Sequence, residues 1–252
     1  MGRALCLVIA LILGPAGVRA AEIVARVASV VDGDTVVLDG GGEQVRLVGI
    51  QAPKLPLGRA GFRAWPLAEE SKKALQDLVL GKRVTLTFGG RRRDRHGRLL
   101  AHLRGEDGTW IQGAMLARGM ARVYSFPDNR SRVADMLKME TRARTQGRGI
   151  WGLDYYAVIG PENAARAIGT FQVVEGRVVD AAKVKGRTYL NFGPDWRTDF
   201  TVTIPPGTAK IFRDLAPLTL KGRRIRVRGW LKSYNGPSIE ATHPEQIEVL
   251  AD

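Results

Sequence analysis

The sequence predicts a mainly β chain with helices packed against its sheets, an α+β fold in two halves. Three observations carry this. Short apolar-alternating runs recur along the chain, amphipathic segments fall between some of them, and the rhythm changes across residues 157–169. That stretch, "AVIGPENAARAIG", combines Gly and Pro with little apolar periodicity and reads as a linker. A chain of 252 residues with 44% hydrophobic content can bury one large core or two small ones.

Residues 1–20 come first and read as a signal peptide. A basic start at Arg3 leads into the apolar run "ALCLVIALILG", and Val18 and Ala20 supply a small-residue cleavage pattern. The run is too short to span a bilayer comfortably. Cleavage would start the mature chain at Ala21, in a secreted or periplasmic setting. The single cysteine, Cys6, lies within this run, so the mature chain would have no disulfide.

Residues 24–50 give three alternating runs, broken at "DGDT" and "DGGGE", the pattern of a short meander. The stretch "WPLAEESKKALQDLVLG" reads as a helix, with Pro66 near its start, Glu69 and Glu70 at the positive end of its dipole, and Gly81 to close it. Strands "KRVTLTF" and "RLLAHLR" flank the loop "GGRRRDRHG". A short helix near 111–118, the strand-like "MARVY" and a basic helix from about Arg130 to Gln146 complete the first half. Helices packed outside a barrel or curled sheet follow from that order.

From residue 170 to 252 the pattern is five strands with one helix, around "AKIFRDL", between the third and fourth. This is the order of an OB-fold, a partly open five-stranded barrel. Strict alternation in "IRVRG" points Ile225 and Val227 inward and Arg224, Arg226 and Arg228 outward.

The net charge of +14 indicates a polyanionic partner or an anionic surface. Most of the excess falls in the first half. The loop containing Arg91, Arg92, Arg93, Arg95 and Arg98 reads as a landing strip for a nucleic-acid backbone. Tyr124 and Phe126 lie just after a strand, where a ring can either stack on a base or fill the core. In the second half Tyr189, Phe192, Trp196, Trp230 and Tyr234 lie among Arg187, Arg226 and Arg228, and could form a platform for an oligonucleotide or a glycan.

Asp32 and Asp34 flank a Gly turn, Arg46 follows on a paired strand, and Arg98 follows another Gly turn. Oxygen ligands for a hard cation beside two guanidinium forks make a sensible kit for phosphodiester hydrolysis. In order, "VVDGDTVVL", "RLVGIQAPK", "LAEESKKALQDLVLGKRVTL", "DRHGRLLAHL", "LARGMARVYSF" and "GRGIW" resemble the thermonuclease-like, or staphylococcal nuclease-like, domain over roughly residues 23–156. The resemblance implies a five-stranded OB-type barrel at residues 21–156, so that the chain carries two such barrels in tandem. In active members it implies calcium-dependent cleavage of DNA and RNA.

By that resemblance Asp34 matches a calcium ligand, Asp32 the acid supporting it, and Arg46 and Arg98 the phosphate clamp. Gln51 and Lys54 stand where a second metal-binding aspartate and a glutamate base are expected. Three units of added positive charge weaken any Ca²⁺ site and favour phosphate. Lys54, crowded by arginines, or His96 could serve instead in proton transfer. The sequence thus leads to an exported nucleic-acid-engaging hydrolase with a degraded site. Its alternatives are a non-catalytic nucleic-acid-binding module, or an envelope protein binding a polysaccharide or protein.

Overall fold

The computed structural model describes residues 23–251; the segment read as a signal peptide lies outside them. The first half contains β1 (Ile23–Asp32), β2 (Thr35–Leu38), β3 (Gln44–Leu47), β4 (Ile50–Gln51), α1 (Ala68–Val79), β5 (Arg83–Thr87), β6 (Leu99–Gly105), α2 (Ile111–Ala117), β7 (Arg122–Val123) and α3 (Val133–Thr145). Five of these strands close a barrel in the order β1-β2-β3-β6-β5, with β3 and β6 parallel. Register shifts between Val27 and Ser29 and between Val30 and Asp32 let the long β1 bend, pairing with β5 at one end and β2 at the other.

The barrel interior is filled by Val27, Val36, Val45, Leu47, Leu86, Ala101 and Leu103. Leu75 of α1, Ile111 and Met115 of α2 and Met136 of α3 close it from outside. The basic helix starts at Val133 rather than Arg130, because Arg132 adopts left-handed φ of 62° and breaks the path.

The second half holds β8 (Phe171–Arg177), β9 (Asp180–Val184), β10 (Arg187–Asn191), β11 (Thr201–Ile204), β12 (Arg224–Trp230), β13 (Lys232–Ser233), β14 (Pro237–Glu240) and β15 (Ile247–Val249). They form a five-stranded sheet, β13-β14-β11-β10-β9, and a three-stranded sheet, β15-β12-β8. A second core, including Val174, Phe200, Val202, Phe212, Ile225, Val227 and Ile239, fills this half.

Two expectations are corrected here. The helix expected around "AKIFRDL" is instead a run of turns, closed by Ile211 N donating to Thr208 O at 2.9 Å and Leu215 N to Phe212 O at 3.2 Å. Pro205, Pro206 and Gly207 before it and Pro217 after it leave too few residues for a helix to offset its nucleation cost. The buried ring of Phe212 anchors these turns instead. Arg228, expected outward into solvent, is only 1% exposed, because the outer face of β12 lies against the first half.

The junction between halves is packed. Arg228 Nη1 reaches Glu140 Oε1 of α3 at 2.8 Å, and its Nη2 reaches Glu248 of β15. Arg130 pairs with Glu245 at 2.8 Å, Ser125 Oγ lies 2.7 Å from His243 Nε2, and Trp230 Nε1 donates to the Tyr124 hydroxyl at 3.0 Å. Residues 157–169, read as a linker, are ordered onto the second core: Ile159 exchanges backbone bonds with β8, and a 3-10 helix over Pro161–Ala167 buries Ala164.

Candidate active site

The β1–β2 turn places Asp32 and Asp34 side by side at the barrel end. Asp34 N donates to Asp32 Oδ1 at 3.1 Å, which tightens the turn. A Cβ on Gly33 would stand 2.0 Å from Ser71 Oγ and 2.7 Å from Ala52 Cβ, so only glycine lets the turn sit under α1. Asp34 is fully buried and Asp32 nearly so.

Lys54 answers the two carboxylates. Its Nζ lies 2.7 Å from Asp34 Oδ2, 2.8 Å from Asp34 Oδ1 and 3.1 Å from Asp32 Oδ2. The ammonium sits between the acids, where a bound cation would have to stand. Arg46 Nη1 adds a contact to Asp34 Oδ1 at 3.0 Å, and Ala52 N donates to Asp34 Oδ2 at 2.7 Å. Burial works to raise the pKa of Asp34, but Arg46 and Lys54 overcome it and hold the carboxyl well below the usual range. Asp32 is pushed upward, by burial first and then by the charge of Asp34.

Gln51 does not turn toward these acids. Its Oε1 accepts from Arg122 Nε at 3.0 Å and Nη2 at 2.8 Å. Arg122 is buried as well, and burial pulls it down to about 10, so it stays charged at neutral pH. The residues implied for calcium therefore do not suit that ion as they stand. Both carboxylates are spent on Lys54, the third position offers a neutral oxygen already shared by a guanidinium, and no cluster of three or more acidic, His or Cys ligands occurs among the described residues.

The two arginines differ. Arg46 spends its donors on the backbone oxygens of Asp34, Leu47 and Ile50, at 3.3, 3.1 and 2.7 Å, besides its ion pair, so it acts as a strut across the turn. Pairing of Arg46 with Leu100 puts Arg98, two residues earlier, on the same side of the sheet. Arg98 is braced by Asp94, with Nε at 2.8 Å and Nη2 at 2.7 Å from Oδ2, and remains partly exposed.

Lys54, expected among arginines, shares Asp34 Oδ1 with one of them, Arg46, while its own contacts go to the two carboxylates. His96 is exposed on the loop, where its ring accepts from Arg95 Nε at 3.1 Å and its backbone N donates to Asp94 Oδ1 at 2.8 Å. Arg91, Arg92, Arg93 and Arg95 are all exposed there; Arg91 pairs loosely with Asp128 at 3.7 Å and Arg93 with Glu43 at 2.8 Å, while Arg92 lies over the Phe88 ring. Tyr124 and Phe126 pack edge to face at 4.8 Å, and Tyr124 also meets Phe171 at 5.0 Å. They line a cleft at the junction of the halves with Trp230 and Lys232.

Sequence reasoning missed Arg122 and Glu140. Arg122 sat in an apolar strand and Glu140 on the apolar face of α3, and a charge at such a position was the available signal that a buried partner exists.

Comparison with known proteins finds matches over the first half of the chain. The family described as staphylococcal nuclease homologue matches residues 44–152. A protein of Escherichia coli named "Uncharacterized endonuclease" is 37% identical over 136 residues, which is 53% of this chain and 80% of the relative. The "SPbeta prophage-derived endonuclease YokF" of Bacillus subtilis is 33% identical over 130 residues, 50% of this chain and 43% of that one. The "Thermonuclease" of Staphylococcus intermedius is 26% identical over 129 residues, 48% and 72% of the two chains.

Proposed function

Because the chain belongs to the staphylococcal nuclease homologue family, we propose that it is an exported protein that engages the phosphate backbone of DNA or RNA along its first barrel, with the family's hydrolytic centre latched shut by Lys54. The carrying observation is the ammonium within 3.1 Å of three carboxylate oxygens of Asp32 and Asp34. Two negative and two positive groups, counting Arg46, cancel there, which removes the seat for a divalent cation, and Lys54 itself stands in place of the carboxylate that would take a proton from water.

Backbone binding is carried by the exposed arginines of the 91–98 loop, which present guanidinium forks to phosphate without base contacts. Arg98, partly exposed and on the same side of the sheet as Arg46, would hold a phosphate beside them. We read residues 170–252 as a second, OB-type unit, supported by the parallel pairing of β11 with β14 and the antiparallel pairing of β8 with β12.

Slow phosphodiester hydrolysis is the second reading, favoured by relatives named as endonucleases. One experiment separates them. The mature chain is titrated with labelled single- and double-stranded DNA and RNA at several salt concentrations, and turnover is followed with calcium, with magnesium and with chelator. The proposal expects binding that weakens steeply with salt, a shallower slope on replacing Arg91, Arg92 and Arg93 by Gln, and no turnover. Turnover lost on Arg98→Ala would establish the second reading, and absence of any binding at low salt would overturn both.

A further inference from the structure

A second concave surface lies on the sheet β13-β14-β11-β10-β9, away from the latched acids. Register sets its floor. Asp180, Asn191, Thr201 and Ser238 stand in one row across the strands, and Ala182, Tyr189, Thr203 and Glu240 in the next. Side chains two apart on a strand share a face, so both rows look the same way. Trp196, from the β10–β11 connection, and Tyr234, from the β13–β14 turn, rise as rims. They are 49% and 59% exposed, large rings left in solvent beside a cleft of about 420 Å³. Clefts of a few hundred Å³ with aromatic walls and a few polar groups are the usual form of small-ligand sites.

Charge on this face decides between occupants. The chain as a whole is strongly basic, yet no lysine or arginine lines this cleft. Asp180 pairs with Lys221 at 2.8 Å and Arg187 with Glu240 at 2.8 Å, while Arg197, loosely paired with Asp195 at 3.9 Å, and Lys232, opposite Ser238, stand at the edges of the face. A polyanion gains its affinity from uncompensated cations, and the residues lining the cleft include none. The floor offers instead the amide of Asn191 and the hydroxyls of Thr201, Thr203 and Tyr189, which donate and accept alike. Thr201 Oγ1 donates to Asn191 Oδ1 at 3.2 Å, which leaves the Asn191 NH₂ to point at a ligand.

We propose that this face is a binding site for a neutral oligosaccharide, whose ring C–H faces stack on Trp196 and Tyr234 while its hydroxyls bond Asn191, Thr201 and Thr203. Sugars suit such a surface because each ring has an apolar face and an equator of groups that both donate and accept. The site is independent of the latched acids and of the arginine loop, and it would stand even if the first barrel bound nothing.

The test uses the intact mature chain on an array of neutral chito-, cello-, xylo- and manno-oligosaccharides of two to six units, followed by calorimetry with the strongest. Single-stranded oligo-dT is the contrast. Saturable sugar binding is expected, weakened at least tenfold by Trp196→Ala and by Tyr234→Ala, with quenching of tryptophan emission that Trp196→Ala abolishes. Both rings are exposed, so these variants should keep the wild-type fold by circular dichroism. An array signal no stronger than that of the Trp196→Ala/Tyr234→Ala double variant would overturn the proposal. So would oligo-dT binding that those substitutions abolish in the absence of sugar binding, which would reassign the face to nucleic acid.

Discussion

Lys54 is the residue on which the first barrel turns. Its ammonium neutralises two buried carboxylates that would otherwise share a turn with only Arg46 to balance them. Breaking a buried pair by removing one partner leaves a charge without compensation, so Lys54→Met should destabilise the protein by about 3–5 kcal/mol at neutral pH, read from urea denaturation. The sign with pH follows from Asp34, whose carboxyl is held below its unfolded value. Stability from such a group is present above the unfolded pKa and lost as pH falls through the folded one, so the gap between wild type and Lys54→Met should narrow in acid. A deficit that widens in acid would contradict the arrangement. The double change Gln51→Asp with Lys54→Glu restores three units of negative charge and should create calcium binding by calorimetric titration where the wild-type chain shows none; an unchanged titration would count against the placement of the site.

Among the elements, β12 and α3 do the most to join the molecule. One face of β12 fills the second core with Ile225 and Val227, and the other presents Arg228 to Glu140 on α3. Glu140 Oε2 also accepts from Val123 N, and Oε1 lies 3.2 Å from Arg144, so one carboxylate ties three elements. Glu140→Gln keeps the shape but halves the pairing of a fully buried guanidinium; a loss of about 3–5 kcal/mol is expected, with both halves melting earlier in calorimetry. A change confined to one half would show that the junction does not couple them. The strands of the first barrel, the helix α1 and the pair of acids on the Gly turn were all readable in the sequence, because alternation and turn chemistry are local. The fate of Arg228 was not, since a strict alternation says which residues leave one core and nothing about what covers the opposite face. The same limit hid the Gln51–Arg122 bond, whose partners lie 71 residues apart.

At the scale of the whole molecule, two buried imidazoles make stability depend on acid. His102 and His243 are both pulled down to about 4, chiefly by burial, with Arg132 adding to it at His102 and Arg130 opposing the pull of Glu245 at His243. A histidine depressed below its unfolded value of about 6.5 stays neutral in the fold while the unfolded chain takes up protons. Stability should therefore be complete above about 6.5 and fall as pH drops toward 4, by up to about 3 kcal/mol for each group. His243 bonds Ser125 across the junction, so His243→Gln should flatten that profile when urea midpoints are compared at pH 7.5, 5.5 and 4.5. An unaltered slope would place the acid sensitivity elsewhere.

The junction has one more consequence. With Arg228 sealed between Glu140 and Glu248, and Arg130 clasping Glu245 nearby, any swing of the halves has to break these ion pairs. A ligand that needed the halves to reorient would have to compensate those buried charges as it bound.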